Sequence, residues 1–91
     1  MKTLQEFYDF FNAIPDEQWG TGNFINDNGT CCAAGLLGKR VGFGCPAFAT
    51  LCELLDLRPG AIYSINDREE GTFLQPTPKA RILALIKSKM N

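Results

Sequence analysis

In the stretch GTCCAAGLLG, residues 29–38, the segment from Cys31 to Leu37 is apolar on every side of a helix drawn through it. An α-helix without a polar face is a buried helix, so this segment predicts a short buried helix, which we call the central helix. Thr30 is the expected N-cap, and the helix is expected to begin at Cys31. Its alanines and its glycine would let another backbone approach closely.

Three further helices are expected around this one. Thr3 and Glu6 have the spacing of a capping box and precede apolar residues at helical spacing. Pro46 is expected at the first position of another helix, whose apolar residues again fall on one side. The last helix is expected to begin after Thr77, an N-cap followed by a proline.

Two short segments indicate strands instead of helices. Residues 61–65, AIYSI, are rich in β-branched and aromatic side chains, and residues 72–74, TFL, could pair back on them after a polar turn. The predicted fold class is therefore α+β, mainly α, with about four helices and a small two-stranded β element. Residues 1–91 are expected to form one compact domain.

Composition limits the classes of function. Nine basic and ten acidic side chains give a formal charge of −1, so no global field would hold a nucleic acid or an anionic membrane. The basic residues of the last helix scatter around its axis, which favours a solvated face. No apolar run approaches the roughly 20 residues that span a bilayer. Acidic residues interrupt the first apolar segment, so no export signal is recognised and a cytoplasmic location is expected.

The four cysteines do not have the spacing of a metal site. Cys31 and Cys32 are adjacent, Cys45 and Cys52 are seven residues apart, and the chain contains no histidine. A structural zinc site needs two close pairs whose thiolates converge on one ion. We therefore expect no metal and no cofactor.

A cysteine nucleophile is the catalytic alternative. Cys31 and Cys45 are both expected near a helix N-terminus, where the helix dipole lowers the pKa of a thiol. The usual basic partner is missing because there is no histidine. Small buried cysteines of the core would have the same pattern. A thiol-dependent enzyme acting through Cys31 or Cys45 therefore stays open beside a structural role.

The loop at residues 39–45 is the expected binding surface. It combines Lys39 and Arg40 with two glycines, with Phe43 and with the start of a helix. These features suit a small anionic ligand or a protein partner, because helix-start amides and cations attract negative charge. The alternative is that Phe43 folds inward as part of the core and that the glycines only permit the turn.

Several motifs together resemble an uncharacterised bacterial and phage domain family. They are Trp19 with its following glycine, the cysteine, alanine and glycine pattern of residues 29–37, the Asn66-Asp67 pair, and the terminal helix. The resemblance implies an independent domain and no particular activity. It suggests that Trp19, the central helix and Asn66-Asp67 meet in space, where the two polar residues would cap helix amides or line a small cleft.

These observations lead to one expected function. The chain is predicted to be a small cytoplasmic binding module without enzymatic activity, with a protein partner or a small anionic ligand. Its predicted binding residues are Lys39, Arg40, Phe43, Trp19, Asn66 and Asp67.

Overall fold

Within residues 1–43, 46–69 and 71–90, which the computed structural model describes, the regular structure consists of five α-helices and one 3₁₀ turn. The elements in chain order are α1 (Leu4–Asn12), the 3₁₀ turn (Asp16–Gln18), α2 (Ala33–Val41), α3 (Ala47–Leu55), α4 (Pro59–Asn66) and α5 (Pro78–Lys89). None of the helices in this part of the chain is long and apolar enough to cross a membrane.

The helices surround one apolar core. Helix α5 packs against α1 and α4, α3 packs against α1 and α2, and α4 also contacts α2 and α3. The Cα radius of gyration is 11.8 Å, close to the roughly 12 Å expected of a compact domain of this length. The largest fully buried apolar side chains are Phe7, Phe11, Ile14, Leu36, Leu37, Leu51, Leu55, Ile62, Ile82 and Ile86.

Two of the outer helices, α1 and α5, begin where their capping residues predict. The Thr3 hydroxyl accepts the Glu6 amide hydrogen at 3.1 Å, and the Thr77 hydroxyl accepts the Ala80 amide hydrogen at 3.1 Å. Helix α3 begins at Ala47, one residue later than predicted, because Pro46 is its N-cap residue and not its first helical residue. All three predicted helices are therefore present. They could be predicted because the start of each depends on residues that are close in sequence.

The predicted α+β class is wrong, because the described residues contain no β-strand. Residues 61–65 belong to helix α4, which has a proline in its first turn. Ile62 and Ile65 lie three residues apart and are both buried on the same side of that helix. Their helical spacing and the proline outweigh the β-branched composition, since strand propensity depends on context. Residues 72–74 are irregular.

The predicted start of the central helix is also wrong. Helix α2 begins at Ala33, two residues after Cys31. The Cys31 amide donates to the Gln18 carbonyl oxygen at 3.0 Å, and the Cys31 carbonyl accepts from the Gly20 amide at 2.8 Å. These bonds, with isolated β-bridges to Trp19 and Ile25, hold Cys31 in an extended conformation. The first helical turn therefore forms only after Cys32.

Arg81 differs from the solvated basic face that was expected of helix α5. Only 3% of its surface is exposed, although it lies among lysines in the sequence. Its guanidinium donates to the carbonyl oxygens of Ile65, Asn66 and Gln75, at distances between 2.7 and 3.2 Å. Burial lowers the pKa of Arg81 from its ordinary value, because the charged form is partly desolvated. Arg81 thus binds the carboxyl end of α4 to α5.

Candidate functional site

Asn66 joins three segments that are distant in sequence. Its side-chain oxygen accepts the Ala33 amide hydrogen at 3.1 Å, and its side-chain amide donates to the Gly20 carbonyl at 3.0 Å. The residue is 1% exposed. It therefore caps the start of α2 from another helix, satisfying an amide that has no partner within α2. The Asn66 side chain is a structural bridge and is not available on the surface.

Asp67 fixes the connection that precedes α2. One carboxylate oxygen accepts the Gly22 amide hydrogen at 3.1 Å, and the other accepts from the Asn66 side chain at 2.8 Å. Trp19 lies at the start of this connection and is 5% exposed, with its indole N–H directed to the Ile14 carbonyl at 3.4 Å. The three segments expected to meet do meet. Trp19 and Asn66 serve the packing, whereas the half-buried Asp67 still faces solvent.

The predicted surface at residues 39–45 is only partly described, because Gly44 and Cys45 lie outside the described residues. Lys39 is exposed, and Arg40 donates to the Gln18 side chain at 3.0 Å. Phe43 is 60% exposed. Its ring lies across Gly38, where a Cβ atom would overlap it. The alternative that Phe43 fills the core is therefore wrong, and a binding role for this loop stays a prediction.

A row of aromatic rings, exposed at Phe24 and half-buried at Phe48 and Tyr63, lies between Phe43 and Asp67. Tyr63 of α4 stacks on Phe48 of α3 with ring centroids 5.6 Å apart and planes 14° apart. Tyr63 also contacts Phe24, which lies in the connection before α2, at a centroid distance of 5.6 Å. These offset and tilted arrangements are the ones that aromatic pairs prefer. Phe24 is nonetheless 49% exposed, so its ring is not part of the core.

Two adjoining concavities share Phe24 and form what we call the aromatic groove. The first has a volume of about 120 Å³, and its lining is mostly apolar and includes Leu37, Phe43 and Phe48. The second has a volume of about 440 Å³. The second concavity is lined by Gly22, Asn23, Phe24, Cys32, Tyr63, Asp67 and Glu69. The groove thus has an apolar end near Phe43 and an acidic end near Asp67.

Most of the groove is not predicted by the sequence. Phe24, Phe48, Tyr63 and Glu69 come from three separate segments and have no common spacing. Phe24 did leave a signal, because it is a large apolar residue in a connection rich in glycine and asparagine. An aromatic residue in such a polar turn needs either a core contact or an exposed role.

Burial governs the ionisation of the groove's thiol and phenol. Burial raises the pKa of the Cys32 thiol, and the nearby Asp67 charge adds to that effect. Burial also raises the pKa of Tyr63. Both groups are therefore in their neutral forms near pH 7, so negative charge in the groove comes from its carboxylates.

Cys31 is fully buried, with 0% of its surface exposed. A nucleophilic thiol must be accessible to its substrate, so this burial does not favour catalysis by Cys31. The other candidate nucleophile, Cys45, lies outside the described residues. Among the described residues, no group of three or more metal-ligating side chains is placed to hold an ion.

The accessibility of the thiols can be tested by alkylation of the native protein. We expect Cys52, which is half-buried, to react with iodoacetamide roughly tenfold or more faster than the buried Cys31 and Cys32, which react only after local opening. Peptide mass spectrometry at several reaction times measures each rate. All samples contain Cys45→Ser, and urea-unfolded protein is the control in which the rates converge. Rapid native labelling of Cys31 would contradict its burial.

Comparisons with protein-family models, with curated proteins and with solved structures found no match to this chain. The resemblance to an uncharacterised bacterial and phage domain family therefore stays a prediction. The aromatic groove is the feature from which a function can be argued.

Proposed function

We propose that this chain is a small cytoplasmic binding module without enzymatic activity, and that the aromatic groove receives a segment of a partner protein. The observation that supports this is the row of rings that includes the exposed Phe43 and Phe24 and the half-buried Tyr63. Aromatic residues are enriched at interfaces, because they bury a large apolar area at a small cost in side-chain entropy. The free thiols of Cys31, Cys32 and Cys52 are the form that a reducing compartment maintains.

The shape and charge of the groove favour a protein segment over a small anion. The two concavities share Phe24 as a lining residue, so one ligand that occupies both has to reach past the Phe24 ring. Asp67 and Glu69 at one end would repel an anion. Successive side chains of an extended peptide would enter the two concavities, and their removal from water would contribute about 25 cal/mol per Å² of apolar surface.

A peptide selection tests this proposal with two matched variants. Random dodecapeptides are selected against the wild type, and their affinities are then measured for Phe24→Ser and Leu74→Ser. Both residues are large, apolar and about half exposed, but Leu74 does not line the groove. We expect Phe24→Ser to weaken binding by roughly tenfold or more and Leu74→Ser to leave it unchanged.

Two results would overturn the proposal. One is that no peptide is enriched above an unrelated control protein. The other is that the enriched peptides bind Phe24→Ser as tightly as the wild type while thermal unfolding shows that the variant is folded. Phe43→Ser serves as a second groove variant, since Phe43 is more exposed than Phe24.

A further inference from the structure

The second concavity of the groove combines aromatic rings with negative charge. Among the described residues that line it are two carboxylates, from Asp67 and Glu69, and no lysine or arginine. Asp67 uses its carboxylate to hold Gly22 and Asn66. Glu69 is exposed, and within the described part of the chain no group donates a hydrogen bond to its carboxylate. Within the described residues, the fold therefore uses the carboxylate of Asp67 for hydrogen bonds and leaves the carboxylate of Glu69 available.

Asp67 and Glu69 lie at the carboxyl end of α4, a position where acidic side chains are unfavourable. Asp67 is the C-cap residue of α4, and Glu69 follows two residues later. The carboxyl end of a helix has a partial negative charge and favours cations. Arg81 supplies a cation to this end from the interior, where its guanidinium donates to backbone carbonyl oxygens. Two carboxylates therefore lie on the solvent side beside the rings, and the exposed Arg68 stands between them in the chain but does not line the concavity.

Lysine and arginine side chains match this combination of surfaces. Each has an apolar stem that packs along aromatic faces and a charged head that stays near solvent or a carboxylate. A cation within about 6 Å of a ring centroid is also attracted by the ring's quadrupole. Phe24 and Tyr63 offer the rings, and Asp67 with Glu69 offers the counter-charge.

We propose, on the basis of the function proposed above, that the partner segment presents a lysine or arginine to the second concavity and a neighbouring apolar residue to the first. The basic side chain packs against Phe24 and Tyr63, with its charge beside Asp67 and Glu69. The apolar residue enters the concavity between Phe43 and Phe48, whose lining includes Leu37 and Ala47. The recognised chemistry is therefore a short segment that pairs one cation with one apolar side chain.

The selected dodecapeptides provide the test. We expect them to share a lysine or arginine close to an apolar residue. In a peptide of this kind, changing the basic residue to glutamine should weaken binding to the wild type by roughly tenfold. Glu69→Gln should weaken binding of the original peptide but leave the affinity of the glutamine peptide unchanged. Asp67→Asn should have the same effect on the two peptides, and it provides a second test of the contact between the basic side chain and the acidic end of the groove.

The matched control is Glu17→Gln, which removes an exposed carboxylate that does not line the groove. It should leave both peptide affinities unchanged. Enriched peptides that depend on Phe24 but lack a basic residue would overturn this inference and leave the binding function standing. A basic residue whose contribution is the same in wild type and in both acid variants would overturn it as well. Peptides that do not depend on Phe24, or no enriched peptides, would overturn both proposals.

Discussion

Arg81→Met is expected to lower the free energy of unfolding by about 3–5 kcal/mol. The substitution removes every hydrogen bond of the buried guanidinium, including those to the Ile65 and Asn66 carbonyl oxygens at the end of α4. The Ile65 carbonyl keeps the Arg68 amide hydrogen at 3.2 Å, but the Asn66 carbonyl loses its guanidinium donor. A buried carbonyl that loses its donor costs free energy because it does not regain water. Since domains of this size are stable by only about 5–15 kcal/mol, this loss is a large share of the total stability.

Two other substitutions separate hydrogen bonding from charge. Arg81→Lys keeps a cation but should also be destabilising, because one ammonium does not reproduce the planar fork that spans three carbonyl groups. Lys87→Met removes an exposed cation from the same helix and should change stability by no more than about 0.5 kcal/mol. Urea unfolding followed by the fluorescence of the single, buried Trp19 measures all three. Similar midpoints for Arg81→Met and Lys87→Met would contradict the account of Arg81.

Gly35→Ala is expected to destabilise the protein by about 3 kcal/mol, although alanine is the better helix former. A Cβ atom at Gly35 would overlap the Phe24 carbonyl oxygen and press on Cys31. Both belong to the connection that packs against α2. That backbone cannot move away without disturbing the Cys31 bonds to Gln18 and Gly20.

Gly60→Ala is the matched control for this prediction. Gly60 lies in the first turn of α4, and an added Cβ there would meet nothing within 4 Å. Gly60→Ala should raise the free energy of unfolding by about 0.5–1 kcal/mol, because alanine loses less backbone entropy on folding than glycine does. Gly38→Ala tests an intermediate case, since the three atoms nearest to its Cβ would all belong to the exposed Phe43 ring. If Gly35→Ala is as stable as Gly60→Ala, the close contact between α2 and the Phe24 backbone does not exist in solution.

Local signals predicted the outer helices and failed where distant segments determine structure. Thr3 and Thr77 cap helices through contacts within three residues, so neighbouring residues alone determine where these helices begin. Helix α2 starts late because Gln18 and Gly20 bind the backbone of Cys31. Arg81 resembles its solvated lysine neighbours, and its burial follows from carbonyl oxygens about fifteen residues away in the chain.

The candidate site was predicted only at its two ends. Phe43 and Asp67 lie on the aromatic groove, whereas Trp19 and Asn66 are buried and hold the surrounding backbone in place. The centre of the groove depends on Phe24, Phe48 and Tyr63, which approach one another only after α2, α3 and α4 have packed. No spacing in the sequence links these rings, so the groove could not be predicted from it.

The most direct test of the proposed function is to map the binding surface of the tightest selected peptide by amide chemical shifts of the ¹⁵N-labelled protein. We expect the largest changes at Asn23, Phe24, Cys32, Tyr63 and Glu69, which line the second concavity of the groove. The same titration of Phe24→Ser should show much smaller changes at these positions. Changes confined to the opposite side of α4, where Leu57, Phe73 and Leu85 line a separate cavity, would contradict the claim that the aromatic groove is the binding surface.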